Sequence, residues 1–381
     1  MGNKKQPRPE LRLLIVSVGS LVGQNILDSL DFPTFSRRHL VFVAGTNSLE
    51  MSANNFRFDE CFLVPPTSSP DYPDRMRQVL RDVQPDLVLC GRDADTAAMC
   101  KIMNEDSSLP GKLPYGAFQS VLYALDKWQS FLFCRKHDLP FAESFVVGSS
   151  ADTQALREFT EKVGFPLVAK PVEGFASHGV FFVRDWNEAV TFLRRDGYMF
   201  QEYLGATDRI DQYFRFLDGP VPLFTEAPEG DHRSCHIQIS PEGEIGEIFV
   251  QYADAVRGAA VSVRRIAHPE LERLARSFAT ALVSEGGFGM LAVQFLPDRK
   301  GMQKAHEMNL RTSGTTFARL LMGQDDLGFI INALLPDRKF PVYTRPPSAS
   351  DLVITKSLAT YSVEEDAAAT MTRSGHWRAG D

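Results

Sequence analysis

The first hundred residues alternate between β-rich apolar stretches and helix-forming stretches, and this alternation restricts the possible folds more than any other feature of the chain. The predicted strands are Leu11–Val18, Val41–Ala44, Cys61–Val64 and Asp86–Cys90, and the predicted helices are Gln24–Leu30, Tyr72–Val83 and Ala94–Met103. Strands that alternate with helices form a parallel sheet with helices on both faces. We therefore expect a doubly wound, Rossmann-like α/β domain up to about residue 120.

Two loops of this domain invite a functional interpretation. The loop Gly19–Gly23 lacks the GxGxxG spacing, and the second strand does not end in an acidic residue. A tight turn that packs a strand against a helix is therefore favoured over a dinucleotide site. The loop Gly91–Asp95 follows the fourth strand, where open α/β sheets bind ligands. Arg92 could contact a substrate there, or an Asp could cap the following helix beside a solvated Arg.

Length, charge and cysteine content exclude several classes of protein. The 381 residues are too many for one compact core, so two or three packed units are expected. The formal net charge of −7 argues against nucleic acid as the main partner, because phosphate-backbone binding needs a basic face. No stretch approaches membrane-spanning length, so no membrane partner is expected. The five scattered cysteines form no CxxC pair and predict buried, reduced thiols in a cytoplasmic protein.

A polar stretch close to residue 310 combines strand alternation with specific chemistry. In a strand, Glu307, Asn309 and Arg311 point to one face, while His306 and the residues between them point to the other. Carboxylate and carbonyl oxygens are the hard ligands that magnesium prefers, and a guanidinium beside them can hold an anion. A solvated strand face is the alternative interpretation of such alternation.

The residues before this stretch predict its partner strand. Asp298 to Gly301 have turn chemistry, so Gln294 to Arg311 is predicted to form a β-hairpin. If Lys300 and Gly301 form a two-residue turn, Gln294 lies opposite Glu307 and adds a second side-chain carbonyl to the same face.

A second constellation suits phosphate binding. Lys170 ends an apolar strand, and Pro171 holds it extended, so its ammonium can cover a phosphate as a point charge. The loop Gly174–Gly179 is small and flexible enough for its N–H groups to close over phosphate oxygens. Ser177 and His178 would add a hydroxyl and a cation. A plain turn between two strands would have the same composition.

Two further segments are ambiguous by themselves. Lys127 opens a helix that runs to about His137, and a solvated lysine is common at that position. The segment Phe200–Leu204 offers apolar side chains and extended backbone, which suit adenine recognition through main-chain hydrogen bonds. An ordinary edge strand would look the same.

Taken in order, these segments resemble the ATP-grasp superfamily. The resemblance runs from about Leu11 to Met322 and rests on Lys127, Lys170 with its glycine loop, Gln201–Leu204, Gln294 and Glu307–Arg311. The motif at Glu307 looks like the metal-binding strand of biotin carboxylase and carbamoyl phosphate synthetase. Many members have an acidic first metal ligand, but carbamoyl phosphate synthetase has glutamine there, as this chain does at Gln294.

The resemblance implies a mixed α/β and α+β architecture, with a Rossmann-like parallel-sheet domain followed by a two-lobed ATP-grasp fold. We expect the Rossmann-like domain over 10–120, a linker helix and lid subdomain over 121–205, and a catalytic subdomain over 206–345. Residues 346–381 would form a strand and a polar tail that frays.

The resemblance also implies roles for individual residues. Lys127 and Lys170 would hold the α- and β-phosphates of ATP, and the Gly174–Gly179 loop would close as a lid with His178 near the γ-phosphate. The segment from Gln201 through Glu202, Tyr203 and Leu204 would frame adenine, and Asp208 or Asp211 would take the ribose hydroxyls. Gln294, Glu307 and Asn309 would hold Mg²⁺, with Mn²⁺ as an alternative, and Arg311 would steady an acyl phosphate or its precursor carboxylate.

The acceptor site is the least specified part. Arg257, Arg264 or Arg265 could bind a substrate carboxylate, and Ser313 after the metal motif could supply a hydroxyl at a helix start. The resemblance implies an ADP-forming carboxylate–amine ligase that acts on small-molecule acids and amines, with a homodimer as one possible assembly. A small-molecule phosphotransferase and a non-catalytic nucleotide-binding module are the alternatives.

Overall fold

The computed structural model describes residues 11–148, 152–174, 179–205, 207–217, 232–256, 259–345, 352–357 and 362–380. The strands of these residues form three sheets of five, four and six strands. The five cysteines of the chain are all buried and free, as the sequence predicts.

The N-terminal domain is the expected parallel α/β unit. Its elements are β1 (Leu11–Val16), α1 (Leu21–Asp31), β2 (Val41–Asn47), β3 (Glu60–Leu63), α2 (Tyr72–Val83), β4 (Leu87–Cys90) and α3 (Asp93–Glu105). The parallel strands lie in the order β3-β2-β1-β4, so the direction of winding reverses between β1 and β4. Strand β1 is almost wholly buried, as expected of a strand covered by helices on both faces. Close packing explains Gly23, where a Cβ would lie 2.5 Å from the Val18 carbonyl oxygen.

A helical linker leads into a small lid sheet. The elements are α4 (Phe118–Leu125), α5 (Lys127–Lys136), β5 (Ser144–Val146), α6 (Thr153–Val163), β6 (Leu167–Pro171), β7 (Phe181–Val183), α7 (Trp186–Phe192) and β8 (Tyr198–Glu202). The four strands are antiparallel in the order β5-β8-β6-β7. Asp126 caps α5 by accepting hydrogen bonds from the N–H groups of Trp128 and Gln129 at 2.8 and 3.0 Å.

The larger sheet follows. Its elements are α8 (Thr207–Leu217), β9 (His232–Ile239), β10 (Ile245–Val256), β11 (Ala259–Arg265), α9 (Pro269–Ser284), β12 (Gly289–Pro297), β13 (Gln303–Leu310), α10 (Thr316–Leu321), α11 (Asp326–Leu334) and β14 (Val353–Thr355). The antiparallel order is β13-β12-β9-β10-β11-β14, which places the predicted hairpin at one edge of the sheet. Helix α9 buries its apolar face against β9 and β10 in the largest core.

The C-terminal residues correct one expectation. The polar tail does not fray, because it forms α12 (Glu365–Ser374) and β15 (His376–Arg378), and β15 pairs antiparallel with β3. Met371 is fully buried in the N-terminal core. The sequence carried the signals of a helix, with Glu365 at its start and Gly375 as a left-handed C-cap whose N–H donates to the Met371 carbonyl. The tail therefore completes the sheet of the first domain.

None of the helices in the described part of the chain is long and apolar enough to cross a membrane.

Candidate active site

The hairpin has the predicted register but not the predicted turn. Gln294 lies opposite Glu307, as expected, but the loop holds three residues rather than two, because Asp298 N–H donates to the Met302 carbonyl at 2.8 Å. Gly301 supplies the left-handed conformation of that loop, at φ +83°. A shift in register between Gln294 and Phe295 compensates for the extra loop residue.

The register shift also corrects the predicted direction of His306. Ala305 and Met308 both lie in the core although they are three residues apart, so His306 and Glu307 between them both face away from it. This arrangement is a β-bulge, in which two neighbouring residues oppose one residue of the partner strand. Burial, and after it the charge of Lys170, lowers the pKa of His306 to about 3, so the imidazole is neutral. His306 therefore belongs to the polar side of the hairpin.

Lys170 crosses from the lid sheet to the hairpin. Its Nζ donates to Gln201 Oε1 at 2.7 Å and to the His306 carbonyl at 3.1 Å. Gln201 is itself held by Ser144 Oγ at 3.3 Å. Because Lys170 is buried, its pKa falls to about 7, although the charge of Glu307 opposes that change. A buried ammonium with two neutral acceptors is well suited to an anionic ligand.

Lys127 reaches the lid loop from the start of α5. Its Nζ donates to the Gly174 carbonyl at 3.1 Å, and its N–H donates to the Val172 carbonyl at 2.9 Å. Gly179 closes the loop at φ +73°, where a Cβ would lie 2.9 Å from the Tyr198 hydroxyl. Ser177 and His178 lie outside the described residues, so their placement in the lid stays a prediction.

Glu307 faces both lysines. Burial by itself raises the pKa of this carboxyl group, but the charges of Lys127 and Lys170 outweigh burial and lower it. Glu307 is therefore ionised at neutral pH. The hairpin carboxylate thus lies close enough to both lysines for their charges to act on it.

A chain of hydrogen bonds continues from Glu307 along the hairpin. Asn309 Nδ2 donates to Glu307 Oε1 at 3.3 Å, and an Arg311 terminal nitrogen (Nη2) donates to Asn309 Oδ1 at 3.3 Å. The same nitrogen donates to Asp93 Oδ2 at 2.6 Å, and the other (Nη1) donates to the Thr312 carbonyl at 3.0 Å. Burial would lower the pKa of Arg311, but the Asp93 carboxylate raises it. Arg311 thus joins the hairpin to the N-terminal domain.

The loop beyond Arg311 is organised by a residue that sequence analysis missed. Arg319 is fully buried, and its guanidinium donates to Ser313 Oγ at 2.9 Å and to Thr315 Oγ1 at 2.8 Å. It also forms an ion pair with Asp326 and donates to Gln324 at 2.9 Å. The predicted substrate residue Ser313 therefore already has its hydroxyl bound within the protein.

The segment predicted to frame adenine lies at the end of β8. Glu202 N–H donates to the Glu143 carbonyl at 2.9 Å, and Glu202 Oε1 accepts a hydrogen bond from Lys304 Nζ at 2.6 Å. Tyr203 packs edge-on against Phe182, with ring centroids 6.1 Å apart. Leu204 is buried in the core beneath the hairpin. The Glu202–Lys304 ion pair ties the lid sheet to the hairpin.

The remaining predicted residues lie at the surface or outside the described part of the chain. Asp208 and Asp211 are exposed on α8, and the choice between them for the ribose stays open. Arg264 and Arg265 are half-exposed and pair with Asp254 at 3.5 Å and Glu247 at 3.0 Å. Arg257 lies outside the described residues.

The suggested helix cap beside Arg92 is corrected. No Asp side chain caps α3, and Arg92 is only partly solvated, with its side chain 33% exposed. Instead its guanidinium donates to the two oxygens of the fully buried Asp95 at 3.0 and 3.1 Å. The residue of this loop that reaches the candidate site is Asp93, which sequence analysis considered only as part of a helix cap.

A polar row on the neighbouring strands was also missed. Ser234 lies opposite both Gln294 and Gln251, so these side chains share the face of Glu307. His236, two residues further along, contacts Ser234 Oγ at 3.2 Å through Nε2. Burial, followed by the charges of Arg319 and Arg311, holds the pKa of His236 well below its usual value. Alternation within β9 carried this signal, but its register with the hairpin did not follow from the sequence.

The side-chain oxygens of the hairpin suit a magnesium ion that takes some of its ligands from the protein and the others from a nucleotide. Glu307 is an ionised carboxylate beside the amide of Asn309, and Gln294 lies directly opposite. Among the described residues, no three His, Cys, Asp or Glu side chains cluster as a metal site, so protein carboxylates alone do not form a cage. Mg²⁺ is usually held by one or two carboxylates together with substrate phosphates and water.

The three sheets have the arrangement of the solved ATP-grasp structures that match most of this chain, so the chain has the ATP-grasp fold. N5-carboxyaminoimidazole ribonucleotide synthetase from Thermotoga maritima matches 88% of this chain and 77% of its own at a TM-score of 0.59 and 15% identity. The Staphylococcus aureus enzyme matches 88% and 78% at 0.62 and 11% identity. The biotin carboxylase domain of Hydrogenobacter thermophilus 2-oxoglutarate carboxylase matches 85% and 69% at 0.60 and 13% identity.

A sequence relative is more limited in extent. Human N-acetylaspartylglutamate synthase A is 29% identical over 90 residues, which is 23% of this chain and 23% of the relative. The chain thus matches about a quarter of the length of that relative. No family model matches the chain.

Proposed function

We propose that this protein is an ATP-dependent carboxylate–amine ligase, which activates an acid as an acyl phosphate and releases ADP and phosphate. The observation that carries the proposal is the placement of Lys127 and Lys170 around the ionised Glu307, with Arg311 two residues beyond Asn309 on the same strand. Two lysines face one carboxylate, so the site is positively charged whenever Lys170 is protonated, and the phosphates of ATP would neutralise that charge.

The chemistry requires positioning and charge neutralisation more than covalent help from the protein. Lys170 would bind a β-phosphate oxygen in place of its neutral acceptors, and Lys127 would follow the lid loop onto the phosphates. Arg311 would hold the acyl phosphate or its parent carboxylate. Glu202 and Leu204 would frame adenine through the backbone. Lid closure would exclude water, which otherwise hydrolyses the intermediate.

Magnesium would be held by Gln294, Glu307 and Asn309, with Mn²⁺ as an alternative, and would neutralise charge that develops on the transferred phosphoryl group. Glu307 supplies the only carboxylate of this set. The hydrogen bonds from Glu307 through Asn309 to Arg311 would keep the metal-binding carboxylate at a fixed distance from the guanidinium.

The substrates proposed are small molecules, one with a carboxylate and one with an amine. The relatives support this class through their names, which include a synthase of N-acetylaspartylglutamate and a biotin carboxylase domain solved with MgADP and bicarbonate. That domain is described as a dimer, and we propose a homodimer here, which sedimentation of the purified chain would check.

The direct test is an ADP-release screen over pairs of amino acids and small carboxylic acids, followed by hydroxylamine trapping. A ligase yields a hydroxamate from its own acid in an ATP-dependent reaction. A phosphotransferase releases ADP without any hydroxamate, and a nucleotide-binding module binds ATP without turnover. Either of the last two results contradicts the proposal.

A substitution pair tests the metal ligand. We expect Glu307→Ala to abolish ADP release while leaving the fold intact, because the magnesium loses its carboxylate. Glu247→Ala on β10 is the matched control, since it removes a carboxylate from the same sheet, paired there with Arg265 at 3.0 Å. Normal turnover by folded Glu307→Ala protein would contradict the magnesium site.

A further inference from the structure

Asp93 links the N-terminal domain to the candidate active site. It is the first residue of α3, at the carboxyl end of β4, and its Oδ2 accepts a hydrogen bond from Arg311 at 2.6 Å. The two side chains are 16% and 13% exposed, so water screens the pair little. They are 218 residues apart in the sequence.

The loop before Asp93 is fixed by close packing rather than by its own hydrogen bonds alone. A Cβ on Gly91 would lie 2.4 Å from Ser20 Oγ and 2.6 Å from the Ser17 carbonyl, so the backbone has no room for a side chain. Arg92 is committed to the buried Asp95 and does not compete for Asp93. The carboxylate of Asp93 is therefore presented to the hairpin from a rigid edge of the sheet.

The donors of Arg311 account for what Asp93 does. One terminal nitrogen binds both Asp93 and Asn309, and the other binds the Thr312 carbonyl. The buried Nε has no partner among the described residues. Because a guanidinium is planar, fixing its terminal nitrogens also fixes the direction of its Nε–H. A buried donor without a protein partner is available to a ligand or to a water molecule.

We propose that Asp93 is a positioning residue: it orients Arg311 so that the guanidinium can bind the oxygens of the transferred phosphoryl group. The inference rests on the proposed function, because it takes Arg311 as the group that binds the phosphoryl oxygens. The chain from Asp93 through Arg311 and Asn309 to Glu307 is made of consecutive contacts of 2.6, 3.3 and 3.3 Å.

A positioning role differs measurably from a purely structural tie between domains. A structural tie would affect stability and all ligands together. A positioning residue would affect the ligand of Arg311 and leave the nucleotide site intact, because the lysines do not contact Asp93. The probes are MgADP, and inorganic phosphate added to the MgADP complex of the 381-residue chain.

The experiment measures both dissociation constants by titration calorimetry for Asp93→Asn, Asp93→Glu, Arg311→Ala and the double variant of Asp93→Asn with Arg311→Ala. We expect Asp93→Asn to weaken phosphate binding about tenfold or more, the scale of one charge-assisted hydrogen bond, with MgADP binding unchanged. Asp93→Glu should recover part of the loss, because it restores the charge. The double variant should bind phosphate as Arg311→Ala does.

Arg338→Gln is the matched control. It removes another ion pair between the N-terminal domain and the C-terminal half, with Asp86 at 2.9 Å, away from the site. It should leave both dissociation constants unchanged. Asp93→Asn protein that binds phosphate like the wild type, while Arg311→Ala protein does not, would overturn the positioning role and leave the proposed function standing. Parallel losses of MgADP and phosphate in Asp93→Asn would indicate a structural tie and overturn it equally. Wild-type protein that binds no MgADP would overturn both proposals.

Discussion

Arg311 and Arg319 lie eight residues apart, and each pairs with a buried or nearly buried aspartate. They differ in how completely the protein satisfies their hydrogen-bond donors. Every nitrogen of Arg319 donates to a side chain of the protein: Nε to Gln324, and the terminal nitrogens to Ser313, Thr315, Thr316 and Asp326. Arg311 keeps a buried Nε without a partner in the described part of the chain. A satisfied arginine organises a loop, whereas an incompletely satisfied one is available to a ligand.

The electrostatics of the two pairs agree with this difference. Burial lowers the pKa of Arg319 in spite of Asp326, whereas Asp93 raises the pKa of Arg311 in spite of burial. Arg319 is 1% exposed and Arg311 is 13% exposed. The charge of Arg319 therefore depends more on its ion pair with Asp326. The guanidinium of Arg311 remains accessible to a ligand in the site.

The largest effect is expected for Arg319→Met. Loss of the guanidinium leaves Asp326 buried without its counter-ion, so the free energy of unfolding should fall by about 3–5 kcal/mol. Urea denaturation measures it. Arg311→Met is the matched control and should cost less, because Asp93 is 16% exposed whereas Asp326 is fully buried. Equal losses in the two variants would remove the distinction.

Turnover should respond in the opposite sense. We expect Arg311→Met to reduce amide formation about a hundredfold or more, because an oriented donor to the developing charge is lost. Its dissociation constant for MgATP should stay close to that of the wild type, since Lys127 and Lys170 are retained. An unchanged amide yield would place Arg311 with Arg319 as a structural residue.

Lys170 gives a prediction that depends on pH. Its pKa is about 7 in the folded protein against 10.5 for the ordinary side chain, so between these values only the unfolded chain holds the proton. Stability should therefore rise with pH across this window, and Lys170→Met should lose that rise.

The same proton links nucleotide binding to pH. Phosphates favour the charged ammonium, so MgATP affinity should fall above pH 7, by up to about tenfold per pH unit. Calorimetry in buffers of different ionisation enthalpy would measure the proton uptake. Nucleotide affinity independent of pH from 7 to 9 would contradict the placement of Lys170 on a phosphate.

The smallest effect is expected for Ser313→Ala. Its hydroxyl accepts a hydrogen bond from Arg319 at 2.9 Å, so the variant should lose about 1 kcal/mol of stability. The KM values for both organic substrates should change little. A tenfold rise in KM with unchanged stability would instead support the substrate role that the sequence suggests for Ser313.

Much of the fold was predictable because the signals are local. The alternation of strands and helices identified the N-terminal domain, and helix α2 begins and ends at the residues expected. The hairpin register was right although its turn was wrong, because the bulge at His306 offsets the extra residue of the loop. The tail was misjudged because its helix is largely polar and gains its burial from a distant sheet.

The site was predictable only along individual strands. Alternation placed Glu307, Asn309 and Arg311 on one face, and the order of the motifs added the two lysines. It could not identify Ser234 or Gln251, since their position beside Gln294 depends on the pairing of β9 with its neighbours. Nor could it separate Arg311 from Arg319, because both are arginines near polar residues.

By itself the sequence determined the secondary structure of the first domain, the hairpin and the residue types that line one strand face, since these follow from periods of two and about four residues. The tertiary structure decided which charges meet. Asp93 reaches Arg311, and Lys170 reaches the His306 carbonyl, only because separate sheets pack together and bury these groups. Packing also decides charge state: burial lowers the pKa of Lys170, and the lysines that packing brings near Glu307 lower the pKa of its carboxyl group.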